Sequence, residues 1–260
     1  MRAGAVLDSV DVSGHSKWAT IKHRKGAADK ARGRLFAKLI RQVEVAAREG
    51  GGDPEANPTL RTMFQKARDS SVPLDTIERA IKRGTGELEG VTYEHVTYEG
   101  YAPSGVAVFI EVLTDNRNRT GSEIRSLFTR SGGSLAEPGA VAWQFERKGV
   151  IAVPGSVGED ELMEAALDAG ADDIVAEGDT WRVTSAPSDL TGVRSALDEA
   201  GIEILSADLS MLPATTVELA SSNDARQVLK VIDALDDHDD VQGVYANFDI
   251  PDDVLAGLSA

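Results

Sequence analysis

Residues 149–212, GVIAVPGSVGEDELMEAALDAGADDIVAEGDTWRVTSAPSDLTGVRSALDEAGIEILSADLSML, read as strand, helix, strand, strand, helix, strand. The two helices end in related strings, Ala166-Leu167-Asp168-Ala169-Gly170 and Ala196-Leu197-Asp198-Glu199-Ala200-Gly201. That order is the split βαβ pattern of ferredoxin-like units. Upstream, Val106, Val108, Ile110 and Val112 alternate with Ala107, Phe109, Glu111 and Leu113, a period of two that predicts a strand half buried on each face. Thr120 and Glu123 form a capping box ahead of Ile124, Leu127 and Phe128, and Gly132-Gly133 ends that helix. Val141–Phe145 reads as a further strand. Downstream of Pro213 come a strand at Val217, a helix over Val228–Leu235 and a strand over Val241–Phe248. These last elements complete the sheet begun at Tyr93, so 149–212 is expected as a domain inserted into another made of 89–148 and 213–260.

The first third is helical. From Gly33 to Glu49, Leu35, Phe36, Leu39, Ile40, Val43 and Ala47 fall on one side and Arg34, Lys38, Arg41 and Arg48 on the other. One face is core and the opposite face a basic stripe. Asn57 and Pro58 read as N-cap and first helical position of a second helix carrying Leu60, Met63, Phe64 and Ala67. Pro73 ends it, and a third helix runs from Asp75 to Gly84 with Ile77 and Ile81 inside. The expected fold class is therefore α+β. A basic all-helical domain (13–88) precedes two α+β domains, the third, ferredoxin-like βαββαβ, inserted in the second. Residues 1–12 are an unmatched extension, expected to be disordered, and Gly84–Gly90 is expected as a flexible linker.

Charge is segregated along the chain. The net −16 of the 260 residues divides into +5 for residues 1–90 and −21 for the rest, and Ser13–Gly50 alone carries +7. A basic front on an acidic body directs the search for a polyanion to the front. The absence of cysteine excludes disulfides, a thiol nucleophile and Cys-ligated zinc or iron–sulfur sites. It also fits a reducing cytoplasm. No apolar run reaches the roughly 18 residues that span a bilayer. Asp8 and Asp11 interrupt the place where a signal peptide keeps its apolar core, so neither secretion nor membrane insertion is expected.

Enzymatic readings find little purchase. His15, His23, His95 and His238 show no H-x-x-x-H or H-E-x-x-H spacing, so no metal site is expected and a structural or solvent-facing role is the better reading. Gly84–Gly90 lacks the Lys-Ser/Thr end of a phosphate loop and follows a helix. Asp236, Asp237, Asp239 and Asp240 lack the glycine and terminal Glu of a calcium loop and read as a solvated turn. A hydrolase or ligand-binding protein is the alternative class, but no nucleophile and base can be placed together.

Two features point to nucleic acid. The first is the run Lys17, Trp18, Lys22, His23, Arg24, Lys25, Lys30, Arg32, Arg34, Lys38 and Arg41. Cations at this density neutralise phosphates, and Trp or His can stack on an unpaired base. A mobile basic tail with Trp18 docked on the helices is the bland alternative. The second is Asp115-Asn116-Arg117-Asn118-Arg119, between a strand and a helix start, where free N–H groups and two guanidinium forks suit phosphate oxygens. Its bland alternative is a polar loop whose arginines pair with acids of the acidic body. Neither feature specifies base sequence, or DNA over RNA.

The strings SGHSKWATIKHRKGAADKARGRLFAKLIRQVEVAAREGG, NPTLR, VPLDTIERAIKRGTGE, YEGYAPSGVAVFIEVLTDNRNRT and GGSLAEPGAVAWQFERKG closely resemble the YebC family, described as probable transcriptional regulatory proteins. The resemblance runs from Ser13 to the end and weakens after about residue 150. It implies a helical first domain and two α+β domains with the third inserted in the second, in a cytoplasmic, non-enzymatic protein without cofactor, metal or small-molecule substrate. Two roles follow from it: a DNA-binding regulator of transcription acting through the basic N-terminal domain, or a ribosome-associated translation factor that binds ribosomal RNA and relieves stalling, for example at consecutive prolines. Nucleic-acid contact is carried onto Lys17–Lys38 and Asn116–Arg119. The family pattern begins with Met where Val12 stands here, so translation is expected to start at Val12.

Overall fold

The computed structural model describes residues 28–259. In chain order these form α1 (Ala28–Gly50), α2 (Pro58–Asp69), α3 (Leu74–Gly84), β1 (Glu94–Tyr101), β2 (Ala107–Thr114), α4 (Arg117–Ser131), β3 (Ser134–Leu135), β4 (Phe145–Pro154) and α5 (Glu159–Leu167). They continue with β5 (Ala171–Glu177), β6 (Thr180–Ser185), α6 (Leu190–Glu199), β7 (Ser206–Pro213), β8 (Val217–Glu218), α7 (Ser222–Asp236), β9 (Val241–Ala246), β10 (Phe248–Asp249) and α8 (Asp252–Ser259). The α+β class expected from the sequence is the one found. Among the described residues two compact units emerge, 28–140 with 226–244, and 141–225 with 245–259.

In the first unit the apolar stripe of α1 packs inward as its spacing predicts except at its start, where Leu35 is exposed. Leu39, Val43, Ala46 and Ala47 are buried together with Leu60 and Ala67 of α2 and Ile77 and Ala80 of α3. Gly84 permits the close approach of α3 to α1, since a Cβ there would lie 2.4 Å from the Glu44 carbonyl oxygen. Asn57 caps α2 as expected, its Oδ1 accepting the Leu60 N–H at 3.0 Å. Its Nδ2 donates to the carbonyls of Ala46 and Gly51, so the cap also ties α2 to the end of α1. The segment after α3 departs from the expected flexible linker. Leu88 N–H bonds the Lys82 carbonyl, Arg48 Nη1 donates to the Val91 carbonyl, and Gly90 leaves no room for a Cβ beside the Glu44 carboxylate.

The same unit holds a four-stranded sheet ordered β3-β1-β2-β9. Strands β1 and β2 run antiparallel from Glu94↔Thr114 to Tyr101↔Ala107, and β2 is buried along both faces save at half-buried Glu111. Because β9 follows β7 in the chain yet lies beside β2, the intervening βαββαβ segment is an insertion in this sheet's connectivity. Helix α4 buries Ile124 and Phe128 and ends at Gly132, whose φ of 91° only glycine adopts at little cost.

The second unit carries the sheet β5-β6-β4-β7, with antiparallel pairing at every step. Taken in chain order this is strand four beside one, one beside three, three beside two, the ferredoxin-like arrangement predicted for 149–212. Ile151, Val153 and Val183 of the sheet bury against Leu162 and Ala166 of α5 and Val193 and Leu197 of α6. Two local expectations fail here and in α4. Val141–Phe145 is not a strand: Ala142–Gln144 is a 3₁₀ turn and β4 begins at Phe145, which leaves Trp143 76% exposed. A capping box at Thr120 is also absent, since the cap of α4 is Asn116, four residues earlier.

Candidate nucleic-acid interface

The end of β2, the start of α4 and the turn before β9 meet in the first unit, and this is where sequence and structure differ most. Asn116 Oδ1 accepts the Arg119 N–H at 3.1 Å, so Asn116 is an N-cap and Arg117, Asn118 and Arg119 form the first turn of α4, not a loop. Thr120, displaced from the predicted capping role, is fully buried one turn inside the helix. Its hydroxyl donates to Asp240 Oδ2 at 2.6 Å and accepts from the Thr114 hydroxyl at 2.7 Å. Thr114 Oγ1 in turn receives the Asn116 N–H.

Asp240 is the hub of this arrangement. Buried at the start of β9, it takes Arg119 Nη2 at 2.8 Å on one carboxylate oxygen and Arg41 Nη1 at 3.1 Å on the other. Burial alone would raise its carboxyl pKa, but the Thr120 hydroxyl, the Arg119 fork and the charge of Arg41 outweigh burial and hold it below the ordinary carboxylate range. Arg41 Nη1 also donates to the carbonyls of Leu113 and Asp239, and its guanidinium lies 4.9 Å from the centre of the Tyr93 ring. Arg119 further pairs with Asp115 at 2.9 Å.

The turn 236–240 is thus only in part the solvated feature its composition predicts: Asp237 and Asp239 are exposed, whereas Asp240 is buried. Lys38 Nζ bonds both the carbonyl and the carboxylate of Asp236, and Arg34 pairs with Asp237 at 2.9 Å. The basic stripe of α1, expected to face outward, is engaged along Arg34, Lys38 and Arg41 by three aspartates of this turn. His238 accepts the Asp240 N–H on Nδ1 and meets Glu123 Oε2 at 2.9 Å through Nε2. Glu123, His238 and Asp240 bring three potential metal-ligand atoms within 4.8 Å of one another. Each Asp240 oxygen already faces a guanidinium, so a cation entering there would meet two resident positive charges.

What the hub leaves over defines a different surface. Arg117 and Arg125 are exposed, and among the described residues neither has an acidic partner. They lie two turns apart on one line of α4, with Gly121 midway, and flank a groove of about 440 Å³ whose walls include Tyr98, Asn118 and Leu135. Tyr98 on β1 donates its hydroxyl to the Arg117 carbonyl at 3.3 Å. Burial pushes that hydroxyl above its ordinary range, with Arg117 opposing and Asp240 adding to the effect. Gly121 lets the ring lie against the helix: a Cβ there would meet the hydroxyl oxygen at 3.2 Å.

Of the residues singled out in the sequence, Asn116, Arg117, Asn118 and Arg119 are brought together. Arg34, Lys38 and Arg41 are turned toward the 236–240 hub. Lys17, Trp18, Lys22, His23, Arg24 and Lys25 lie outside the described residues, as do the side chains of Lys30 and Arg32 on α1. The sequence reading missed Tyr98, Arg125 and Asp240. The four-residue spacing of Arg117, Gly121 and Arg125 was the available signal for Arg125, whereas nothing local marks Tyr98 or Asp240.

A helical module, a four-stranded sheet interrupted by a ferredoxin-like insertion, and an arginine-flanked groove on the first helix of that sheet define the α+β class to which this chain belongs. The chain belongs to the TACO1/YebC family: residues 16–87 match its N-terminal domain and residues 93–248 its second and third domains. A "Probable transcriptional regulatory protein" of Rubrobacter xylanophilus is 62% identical over 250 residues, spanning 95% of this chain and all of the relative. Another so named from Halothermothrix orenii is 54% identical over 95% of this chain and 99% of its own. The crystal structure of a conserved hypothetical protein from Aquifex aeolicus superposes with a TM-score of 0.79 at 47% identity, covering 86% of this chain and 93% of that one.

Proposed function

We propose that this chain is a nucleic-acid-binding regulator of gene expression that contacts phosphate through the first turns of α4 together with the basic segment 17–32. The observation that carries this reading is the pair Arg117 and Arg125. In a chain of net charge −16 they stand exposed, without acidic partners among the described residues, on either side of one groove. Guanidinium forks in that setting match phosphate oxygens and gain affinity by counterion release. The names of the relatives favour DNA and transcription as the setting. One observation favours the second setting, ribosomal RNA and translation: the stripe of α1 that would make a basic recognition helix is engaged by Asp236, Asp237 and Asp240. A surface reading backbone and shape fits structured RNA at least as well as an operator.

Crosslinking in growing cells, followed by sequencing of both recovered DNA and RNA, separates the settings. Recovery on a few promoters assigns a transcriptional regulator, and recovery on ribosomal RNA a translation factor. In either case Arg117→Ala should reduce recovery while leaving the thermal midpoint near that of the parent. Undiminished recovery with Arg117→Ala removes the α4 turn from the interface.

A further inference from the structure

The groove beside α4 has features that phosphate attraction alone does not need. Arg117 and Arg125 are eight residues apart, roughly 12 Å along the helix axis. Between them the wall joins the polar side chains of Asn118 and Ser122 to the Tyr98 ring, packed over Gly121, and Leu135. The groove is open rather than enclosed, and its volume of about 440 Å³ lies in the range of small-ligand sites. Resting on the nucleic-acid reading above, we propose that this groove takes an unpaired nucleotide of a single strand. Its base lies against Tyr98 and Leu135, and the flanking phosphates lie on Arg117 and Arg125.

The chemistry favours an unpaired over a paired base. Inside a duplex both faces of a base are covered by its neighbours, so an aromatic wall recessed between two cations has nothing to stack upon. A splayed base offers a free π-face, and any base serves, so the site selects strandedness and not sequence. The Tyr98 hydroxyl proton is donated to the Arg117 carbonyl, which leaves the ring as the part that meets the ligand. Arg119, which a sequence reading pairs with Arg117, is excluded from the groove by its bonds to Asp240 and Asp115.

The test measures binding of the full chain to a labelled 12-nucleotide RNA of mixed sequence, single-stranded and annealed to its complement, at one fixed salt concentration. Tyr98→Leu should weaken single-strand binding by on the order of fivefold to a hundredfold, the loss expected for one base stacked on an aromatic ring. Arg125→Ala should weaken it also, and Tyr98→Leu should bind duplex like the parent. Tyr98→Phe, which keeps the ring, should keep single-strand affinity. Equal losses by Tyr98→Leu on single strand and duplex, or displacement of the strand by inorganic phosphate as readily as by a mononucleotide, would reduce the groove to an anion site and overturn the proposal. Parent-like binding by Tyr98→Leu and Arg125→Ala, alongside weakened binding when Lys22, Arg24 and Lys25 are neutralised, overturns the groove while sparing the nucleic-acid reading. A parent chain that binds neither form overturns both.

Discussion

Asp240 shows how one carboxylate reassigns the residues around it. Counted as part of an acidic run it looks like a solvated charge, yet its two oxygens serve Thr120, Arg119 and Arg41, side chains from two separate helices. Removing it leaves Arg41, itself mostly covered, without its counter-charge, and breaking a pair of this kind costs about 3 kcal/mol or more. Asp240→Ala should therefore lower the thermal midpoint clearly, whereas Asp239→Ala should not. The pH dependence has a definite sign. The folded-state pKa of Asp240 is depressed, so its contribution is complete above the unfolded carboxylate value of about 4 and is lost as pH falls through the folded value. Acid unfolding followed by circular dichroism should show a shallower decline below pH 4 in Asp240→Ala than in the parent. A parallel acid limb in the two proteins would mean that other carboxylates dominate.

At the level of the element, α4 is built by its first residues. Asn116 satisfies the Arg119 N–H and so starts the helix three residues before Thr120, which rotates Thr120 inward to Asp240 and Arg117 outward to the groove. Asn116→Ala should cost about 1 kcal/mol, the usual loss on removing an N-cap side chain, while Asn116→Asp should restore most of it. If the alanine variant unfolds at the parent's denaturant midpoint, the cap is not what sets the helix start. The mistaken capping box has a physical cause. Thr120 and Glu123 have the right spacing, but so does any Thr three residues ahead of a Glu, and the side chain with a nearby helical N–H to accept is Asn116. The strand expected at Val141–Phe145 fails for a similar reason. Its run of apolar residues is compatible with a tight turn as well as with a strand, and Trp143 carries the turn's outward position.

Across the whole molecule the charge segregation means different things at different places. Residues 149–212 hold fourteen acids against Arg182 and Arg194, which makes this domain a poor companion for a polyanion and leaves the basic end and the α4 groove to carry the nucleic-acid contact proposed above. Cations already paired within the protein release few counterions on binding, and free ones release most. On the proposed phosphate contact by the basic run, neutralising Lys22, Arg24 and Lys25 should flatten the dependence of log affinity on log salt by roughly 0.7 to 0.9 per lost contact. Neutralising Arg34 and Lys38 should lower thermal stability and leave that slope nearly unchanged, because Asp237 and Asp236 hold them. A slope that falls equally in both variants would show that nucleic acid displaces the aspartates.

Much of the fold was legible without coordinates because it depends on patterns that repeat locally. The apolar stripe Leu39, Val43, Ala47, the alternation along β2, the Asn57-Pro58 start and the Gly132 stop each state their own structure within a few residues. The βαββαβ order is the sum of such signals, and the inserted connectivity follows from counting strands. The partners of the charged residues were not legible. Arg34, Lys38, Arg41 and Arg119 read as available cations, and their pairing with Asp237, Asp236 and Asp240 joins residues about 120 to 200 positions apart. Nor could spacing alone find Tyr98 against Gly121 across a strand and a helix. Periodicity reports which face of an element is apolar because the hydrophobic effect is non-directional and additive along the chain. Ion pairing is short-ranged and specific in direction, so which cation remains free for a ligand is settled only when distant segments are packed together.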